Sequence, residues 1–429
     1  MITDEIIDKV IERLIRRIEK TNIYILQKIG KDIKEIKDIT PSKRHQLIQV
    51  LRYGDTYQDI VNKLSKMTDL NTKEIEEIFM SVSKKDYNFA EQFYSARGIK
   101  QVPFLENERI ISQTKAIAKM IQKDIYSFTR PNILGYTIRD NNNIVQFYGL
   151  KDTYNRVIEE ALVNISQGKE TMDESLRKIL TDIGGSGLKK IDYKSGRSVR
   201  LDAVARMHLK DGLRLLHNSN EEIIGEEIGA NMIEVTHHSN SAPDHIDTVD
   251  GKQFAMIDKI KEQIKNGTEK EIKLSDIKGN AVRFRGKTYK DFDDVNNSLK
   301  RQVSTLNCYH FTFTGILGIS KPQYTEEQLE ADKKRNEKGF EYEGKHYTMY
   351  EGTQLQRSIE REIRKQKDIQ ILAKASGDDE LVLQAQQKIT QLTNKYKELS
   401  DVSGLPPKIK RLQVVGFKKV AKNKLKWYN

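Results

Sequence analysis

An internal disulfide is closed to this chain, because its 429 residues include one cysteine, Cys308. That thiol is therefore a packing residue, a nucleophile or a ligand. Long apolar runs are missing too: nowhere do about 18 such residues follow one another, which argues against a helical membrane span. With only seven prolines and 7% aromatics, little interrupts helix formation. Hydrophobic residues make up 37% and charged residues 32%, so the apolar side chains belong on amphipathic faces rather than in thick buried sheets. The opening MITDEIIDKV puts acids where a secretion signal needs positive charge, and a protein kept in a reducing cytoplasm is expected. Its length predicts two or three domains at about 150 residues each.

The charge is lopsided. There are 74 basic and 62 acidic residues, a net charge of +12. Much of this is solvated surface of mixed sign. Near the end the balance is one-sided: Lys408, Lys410, Arg411, Lys418, Lys419, Lys422, Lys424 and Lys426 have no acidic residue among or after them. Such a tail suits nucleic-acid phosphates or an acidic protein groove, with Lys418, Lys419, Lys422, Lys424 and Lys426 as candidate contacts. The plainer alternative is a solubilising end.

Apolar spacing predicts a helix over 3–39, with Ile7, Val10, Ile11, Leu14, Ile15 and Ile18 as its stripe, and further helices to about 130. Glycines then break the chain into shorter elements. A helix around 202–216 precedes a strand over 232–236, and 282–290 and 340–350 resemble hairpins. Beyond Gly352 two helices of similar length flank Ser376-Gly377-Asp378-Asp379 and form an antiparallel pair. The expected fold class is α+β, predominantly α-helical. A helical arm covers 1–130, a mixed α+β core 131–350, a helical hairpin 351–404, and a last strand at 411–417 with the basic tail fills 405–429.

Chemistry concentrates around the histidines. His238 and His245 are seven apart, but Pro243 lies between them and favours a loop. With Cys308 and His310 from a second segment they offer four ligands of the types zinc takes. The plainer reading packs Cys308 as a small hydrophobe and lets the histidines hydrogen-bond the turn. A catalytic reading sets His238 or His245 as base beside Asp244, Asp247 or Asp250, holding a divalent ion for phosphodiester cleavage. Cys308 as a nucleophile lacks an electropositive neighbourhood in the sequence, which surrounds it with aromatic residues. Glu360-Arg361-Glu362 imitates the paired glutamates of ADP-ribosylating toxins but falls inside a long helical pattern, as a solvated face would.

Taken in order, several strings resemble the tailed-phage minor capsid proteins, the minor head proteins encoded beside the portal, and more distantly Mu-type head morphogenesis proteins. They are TYNRVIEEALVNISQG near Tyr154, SGRSVRLDAVARMHLKDG, the series His238, Pro243, His245 and Gly251, and Asn307-Cys308-Tyr309-His310. The likeness continues through Tyr350, Gln354, Gln356, Arg357, Glu360, Arg361, Ile363, Arg364 and Lys367, and ends around Gly404, Leu405 and Gly416. Ala242 and Tyr309 stand where the family usually has arginine. The resemblance implies a non-enzymatic structural component of the virion, present in few copies inside the head near the portal. Its implied partners are the portal protein, the major capsid protein and double-stranded genomic DNA, and its implied role is in head assembly, packaging or ejection.

Overall fold

The structure, a computed structural model, describes residues 4–37, 55–140, 142–153, 172–192, 194–305 and 308–418. It is predominantly helical, with small antiparallel sheets, as the composition predicts. The chain forms two compact units, and neither is continuous in sequence. One comprises Met1–Ile11, Glu74–Gln122 and Met207–Thr353; the other comprises Glu12–Lys73, Lys123–Arg206 and Gln354–Asn429. The segment expected as a single arm, 1–130, is thus shared between them. The first helix is Asp4–Lys37 and buries Ile7, Ile11, Leu14, Ile15 and Ile18 of the predicted stripe, with Val10 half-buried.

In the second unit a four-stranded sheet runs in the order Val145–Gly149, Leu134–Arg139, Lys189–Ile191, Ser198–Arg200. The predicted helical pair is Met349–Ser376 and Asp379–Ser403. Contacts Gln356 to Ser400, Glu360 to Tyr396 and Gln370 to Gln386 step in opposite directions along the two helices, so they are antiparallel. One short turn ends the first helix and starts the second. Gly377 takes φ +71°, while the N–H of Asp378 reaches the carbonyl of Ala373 at 3.0 Å, the closing bond of a Schellman turn. The Asp378 carboxylate then caps the next helix, accepting from Leu381 N at 2.9 Å.

Two expectations change here. Glu360 is not on a solvated face: it is 6% exposed and accepts a hydrogen bond from Tyr396 Oη at 2.9 Å. The strand expected at 411–417 is a 3-10 turn over Ile409–Leu412 followed by a second turn closed by Phe417 N on Val414 O at 3.2 Å, with no partner strand among the described residues.

The first unit carries the histidines. Its sheet has Met232–Val235 at the centre, antiparallel to Thr312–Gly315 on one side and Gln253–Ala255 on the other. Val235 lies opposite Thr312 and Met232 opposite Gly315. The long helix Leu201–Ile228 packs close to this sheet at Gly225, where a Cβ would stand 3.1 Å from Thr314 Cγ2. Gly229 ends that helix at φ +71°, with Ala230 N on Gly225 O at 2.7 Å. Ile223, Ile224 and Ile228 pack with Tyr87, Tyr94, Phe104 and Ile110, and each fully buried side chain of this kind stabilises the unit by about 1.5–3 kcal/mol. Val235, Val249, Phe254, Phe292 and Val303 form a second apolar cluster under the histidine loop. The predicted hairpins are present, as Ala281–Phe284 with Lys287–Lys290 and Phe340–Tyr342 with Lys345–Tyr347.

Candidate metal centre

Pro243 shapes the loop that follows the central strand. Its fixed φ starts a single helical turn, Pro243–Ile246, and the carbonyl of Ala242 accepts from His245 N and Ile246 N. The carbonyl of His245 in turn accepts from the N–H groups of Thr248, Val249 and Asp250. The chain therefore winds tightly around His245, which is fully buried. Opposite it, the segment leading into Thr312–Gly315 delivers Cys308 and His310, 1% and 3% exposed.

Three ligand-type atoms meet at one point. His245 Nδ1 is 3.2 Å from His310 Nδ1, and Cys308 Sγ is 3.3 Å from His310 Nδ1 and 3.6 Å from His245 Nδ1. A tetrahedral zinc with bonds near 2.05 Å to nitrogen and 2.3 Å to sulfur sets its ligands about 3.3 Å apart for two nitrogens and about 3.6 Å for nitrogen and sulfur. The N–N edge and the Cys308–His245 edge match these values, and the Cys308–His310 edge, at 3.3 Å, is shorter. The outer nitrogens are held as ligating imidazoles require. His310 Nε2 donates to Asp250 Oδ1 at 2.7 Å, and His245 Nε2 donates to the Arg301 carbonyl at 2.7 Å, turning both Nδ1 atoms inward.

His238, the fourth residue proposed from sequence, is not in this triangle. Its Nε2 hydrogen-bonds the Tyr309 carbonyl, and its ring lies edge-on to that of His310 at 5.1 Å. Of the three acids named beside the histidines, Asp250 is the one that organises them. Besides His310 it accepts from Ser241 Oγ at 2.7 Å, His238 N at 2.8 Å and His237 Nδ1 at 2.6 Å. Asp244 pairs with Arg301 at 3.3 Å and Asp247 with Lys333 at 2.7 Å. His237 continues outward: its Nε2 is 2.6 Å from Asp332 Oδ2. Both neighbours of His237 are carboxylates, which only accept, so both ring nitrogens donate.

These contacts set the ionisation. Burial opposes a Cys308 thiolate, but hydrogen bonding with His245 and His310 and the charge on His310 outweigh it and lower the thiol to about 5. Burial likewise opposes charge on His310, yet Asp250 and Cys308 raise it to about 9. Asp250 is held well below the carboxylate range by its four donors despite burial. The hydrogen bond to Asp250, partly opposed by burial and reinforced by Asp332, raises His237. The neighbourhood of Cys308 is thus electropositive, contrary to the reading of its sequence neighbours. The reason is that His245 comes from a loop 63 residues upstream, and that His310, two residues on, is held by Asp250 of the same loop.

A second buried cluster had no counterpart in the sequence reading. His217 and Glu221, one turn apart on Leu201–Ile228, meet Asp86, and all three are buried. His217 Nδ1 is 2.8 Å from Asp86 Oδ2 and Nε2 is 2.9 Å from the Thr312 carbonyl. Glu221 Oε2 accepts from Thr314 N at 2.9 Å and Thr314 Oγ1 at 3.1 Å. Burial opposes the charge on His217, but Asp86 raises it to about 9; burial raises Glu221 to about 7. The His-x3-Glu spacing within a helical pattern was the available signal; Asp86, 131 residues before His217, gave none. Of the candidate nucleic-acid contacts, Lys418 is described, its carbonyl accepting from Lys374 Nζ at 2.6 Å. Lys419, Lys422, Lys424 and Lys426 lie outside the described residues, as does the 154–168 string.

A helix-rich α+β protein in which no described helix is long and apolar enough to cross a membrane, with a buried Cys–His cluster at one sheet, is the class that fold and site define. The model of the phage minor capsid protein 2 family matches residues 2–401, and the chain belongs to that family. Searches of curated proteins and of solved structures returned no match.

Proposed function

We propose that this phage capsid-family protein lies inside the head near the portal, where it contacts the portal and assists head assembly, DNA packaging or ejection. The observation that carries this reading is the family match over 2–401. The net charge of +12 and the uncompensated lysines after 408 support contact with the packaged genome. His245, Cys308 and His310 are proposed to hold a structural zinc, supplying three of its four tetrahedral positions. Their burial supports a folding role over the metal-dependent nuclease alternative, in which a substrate must reach the ion.

Mass spectrometry, chemical crosslinking and elemental analysis of purified virions test the reading together. The expected result is the protein in few copies, crosslinked to the portal protein, with zinc in stoichiometric amount. Absence from particles overturns the placement, and absence of zinc retires the metal. His245→Ala should lower folding stability and particle incorporation together; loss of a nuclease activity with normal incorporation would instead establish the enzyme. Deleting 418–429 should flatten the salt dependence of DNA binding, and unchanged binding would remove the tail as the contact.

A further inference from the structure

The helix Glu326–Lys338 is held to its unit by unusual means. Asn336 is its one buried residue, so it has almost no apolar anchor. Its C-terminal end is held by Asn336 Oδ1, which accepts from Tyr350 N at 2.9 Å, and by the Lys338 carbonyl, 2.9 Å from His346 Nε2. Its first residue, Glu326, lies 3.6 Å from Lys287, and its middle contacts the loop 237–251. Asp332 accepts from His237 Nε2 at 2.6 Å and from Ser239 Oγ at 3.4 Å, and Lys333 pairs with Asp247 at 2.7 Å. Leu329 lies over Gly251, where a Cβ would be 2.4 Å from Leu329 Cδ2. Tyr324, just before the helix, sets its ring edge-on to His237 at 5.5 Å. Every one of these loop partners belongs to the turn that carries His245 and Asp250.

We infer that metal loading at His245, Cys308 and His310 and docking of the Glu326–Lys338 helix are coupled, joined through Asp250, His237 and Asp332. The inference rests on the metal reading above. The ion fixes His310 and His245; His310 fixes Asp250 at 2.7 Å; Asp250 fixes His237 at 2.6 Å; and His237 presents its remaining N–H to the helix. With the ion removed, the loop loses the constraint that keeps Asp247, Gly251 and His237 in register with the helix. Apolar burial does not replace it. The centre then regulates whether a strongly charged, exposed helix is fixed or free. Coupling of this kind is reciprocal, so loosening the helix must weaken the metal by the same factor.

Amide hydrogen exchange on the full-length protein, zinc-loaded and chelator-stripped, tests this, with Asp332→Ala as the variant that cuts the link without touching a ligand. On stripping the wild type, exchange across 326–338 should speed up about five-fold or more. In Asp332→Ala the helix should exchange fast with or without zinc. Zinc should still bind that variant, with affinity lowered by the same factor in chelator competition. Unchanged exchange in 326–338 on stripping overturns the link while leaving the zinc reading intact. Faster exchange throughout Glu108–Phe128 as well would show a global clamp and also overturn it. A wild-type chain that takes up no zinc fails both readings, and elemental analysis identifies that case.

Discussion

Replacing Glu221 by glutamine removes one buried ionisation. Glu221 is 4% exposed and accepts two hydrogen bonds from Thr314, and burial raises it from 4.5 to about 7. The folded state therefore binds this proton more tightly than the unfolded chain. Its stabilisation is complete below pH 4.5 and is lost as pH rises through 7. A shift of this size corresponds to about 3 kcal/mol. His217 adds a second loss of the same sign, since it is raised from 6.5 to about 9: its contribution is full below 6.5 and disappears as pH passes 9. Glutamine keeps an oxygen for Thr314, removes the titration at 221 and withdraws a negative charge that helps to raise His217. At pH 5, Glu221→Gln and wild type should unfold at similar urea concentrations by circular dichroism. At pH 8 the variant should be more stable by about 3 kcal/mol, a midpoint roughly 1 M higher. An equal difference between the two proteins at both pH values would refute the assignment.

Arg200→Met removes the 3.0 Å partner of Asp368, which is 1% exposed, and leaves that carboxylate buried without its ion pair. A loss of about 3–5 kcal/mol is expected by chemical denaturation, and a loss below about 1 kcal/mol would show that Asp368 is not held by this pair. Gly251→Ala forces a left-handed φ of +69° on a residue with a Cβ and pushes it against Leu329. Thermal unfolding should register about 1–2 kcal/mol of destabilisation. Asp250→Asn keeps the size of the side chain but replaces an acceptor that four donors share. Zinc affinity should fall roughly 10–100-fold in chelator competition, and unaltered affinity would remove Asp250 from the support of the ligands.

Much of the fold was legible because it rests on local signals. The first helix, the central strand, both hairpins and the antiparallel pair follow from apolar spacing and from Gly and Asp at turns. The expected strand at 411–417 failed because the chain there closes local turns, Ile409–Leu412 and Val414 to Phe417, in place of a ladder. Glu360 was misjudged for a different reason: its helical face meets the second helix of the pair, a tertiary fact that charge alternation does not encode. Around Cys308 the residue types were legible and the grouping partly so. His245, Cys308 and His310 meet, but which nitrogen of His238 faces what depends on the turn begun by Pro243. Asp250 stood among three acids of equal standing in the sequence. Only the folded loop distinguishes the one with four donors.

The segment from Cys308 to Thr314 explains why the two buried clusters differ in chemistry. Thr312–Gly315 is an edge strand, and its Phe311 and Gly315 carbonyls bond toward the sheet, accepting from Thr236 N and Asn231 N. The Thr312 carbonyl and Thr314 N–H therefore point the other way, where a buried edge must find partners. His217 and Glu221 supply them. Four residues of helix rise about 6 Å and two residues of strand about 6.6 Å, so an i, i+4 pair spans an i, i+2 pair of backbone groups. His217 donates to the first and Glu221 accepts from the second, and Phe311 and Phe313 hold the imidazole edge-on at 5.4 and 5.0 Å. With Nε2 committed to the carbonyl, Nδ1 faces the Asp86 carboxylate at 2.8 Å, a contact that a proton satisfies. At Cys308 the situation is reversed. Both imidazoles spend Nε2 on outer acceptors, and the two Nδ1 atoms and Sγ face one another within 3.6 Å, the three positions that the proposed zinc would take.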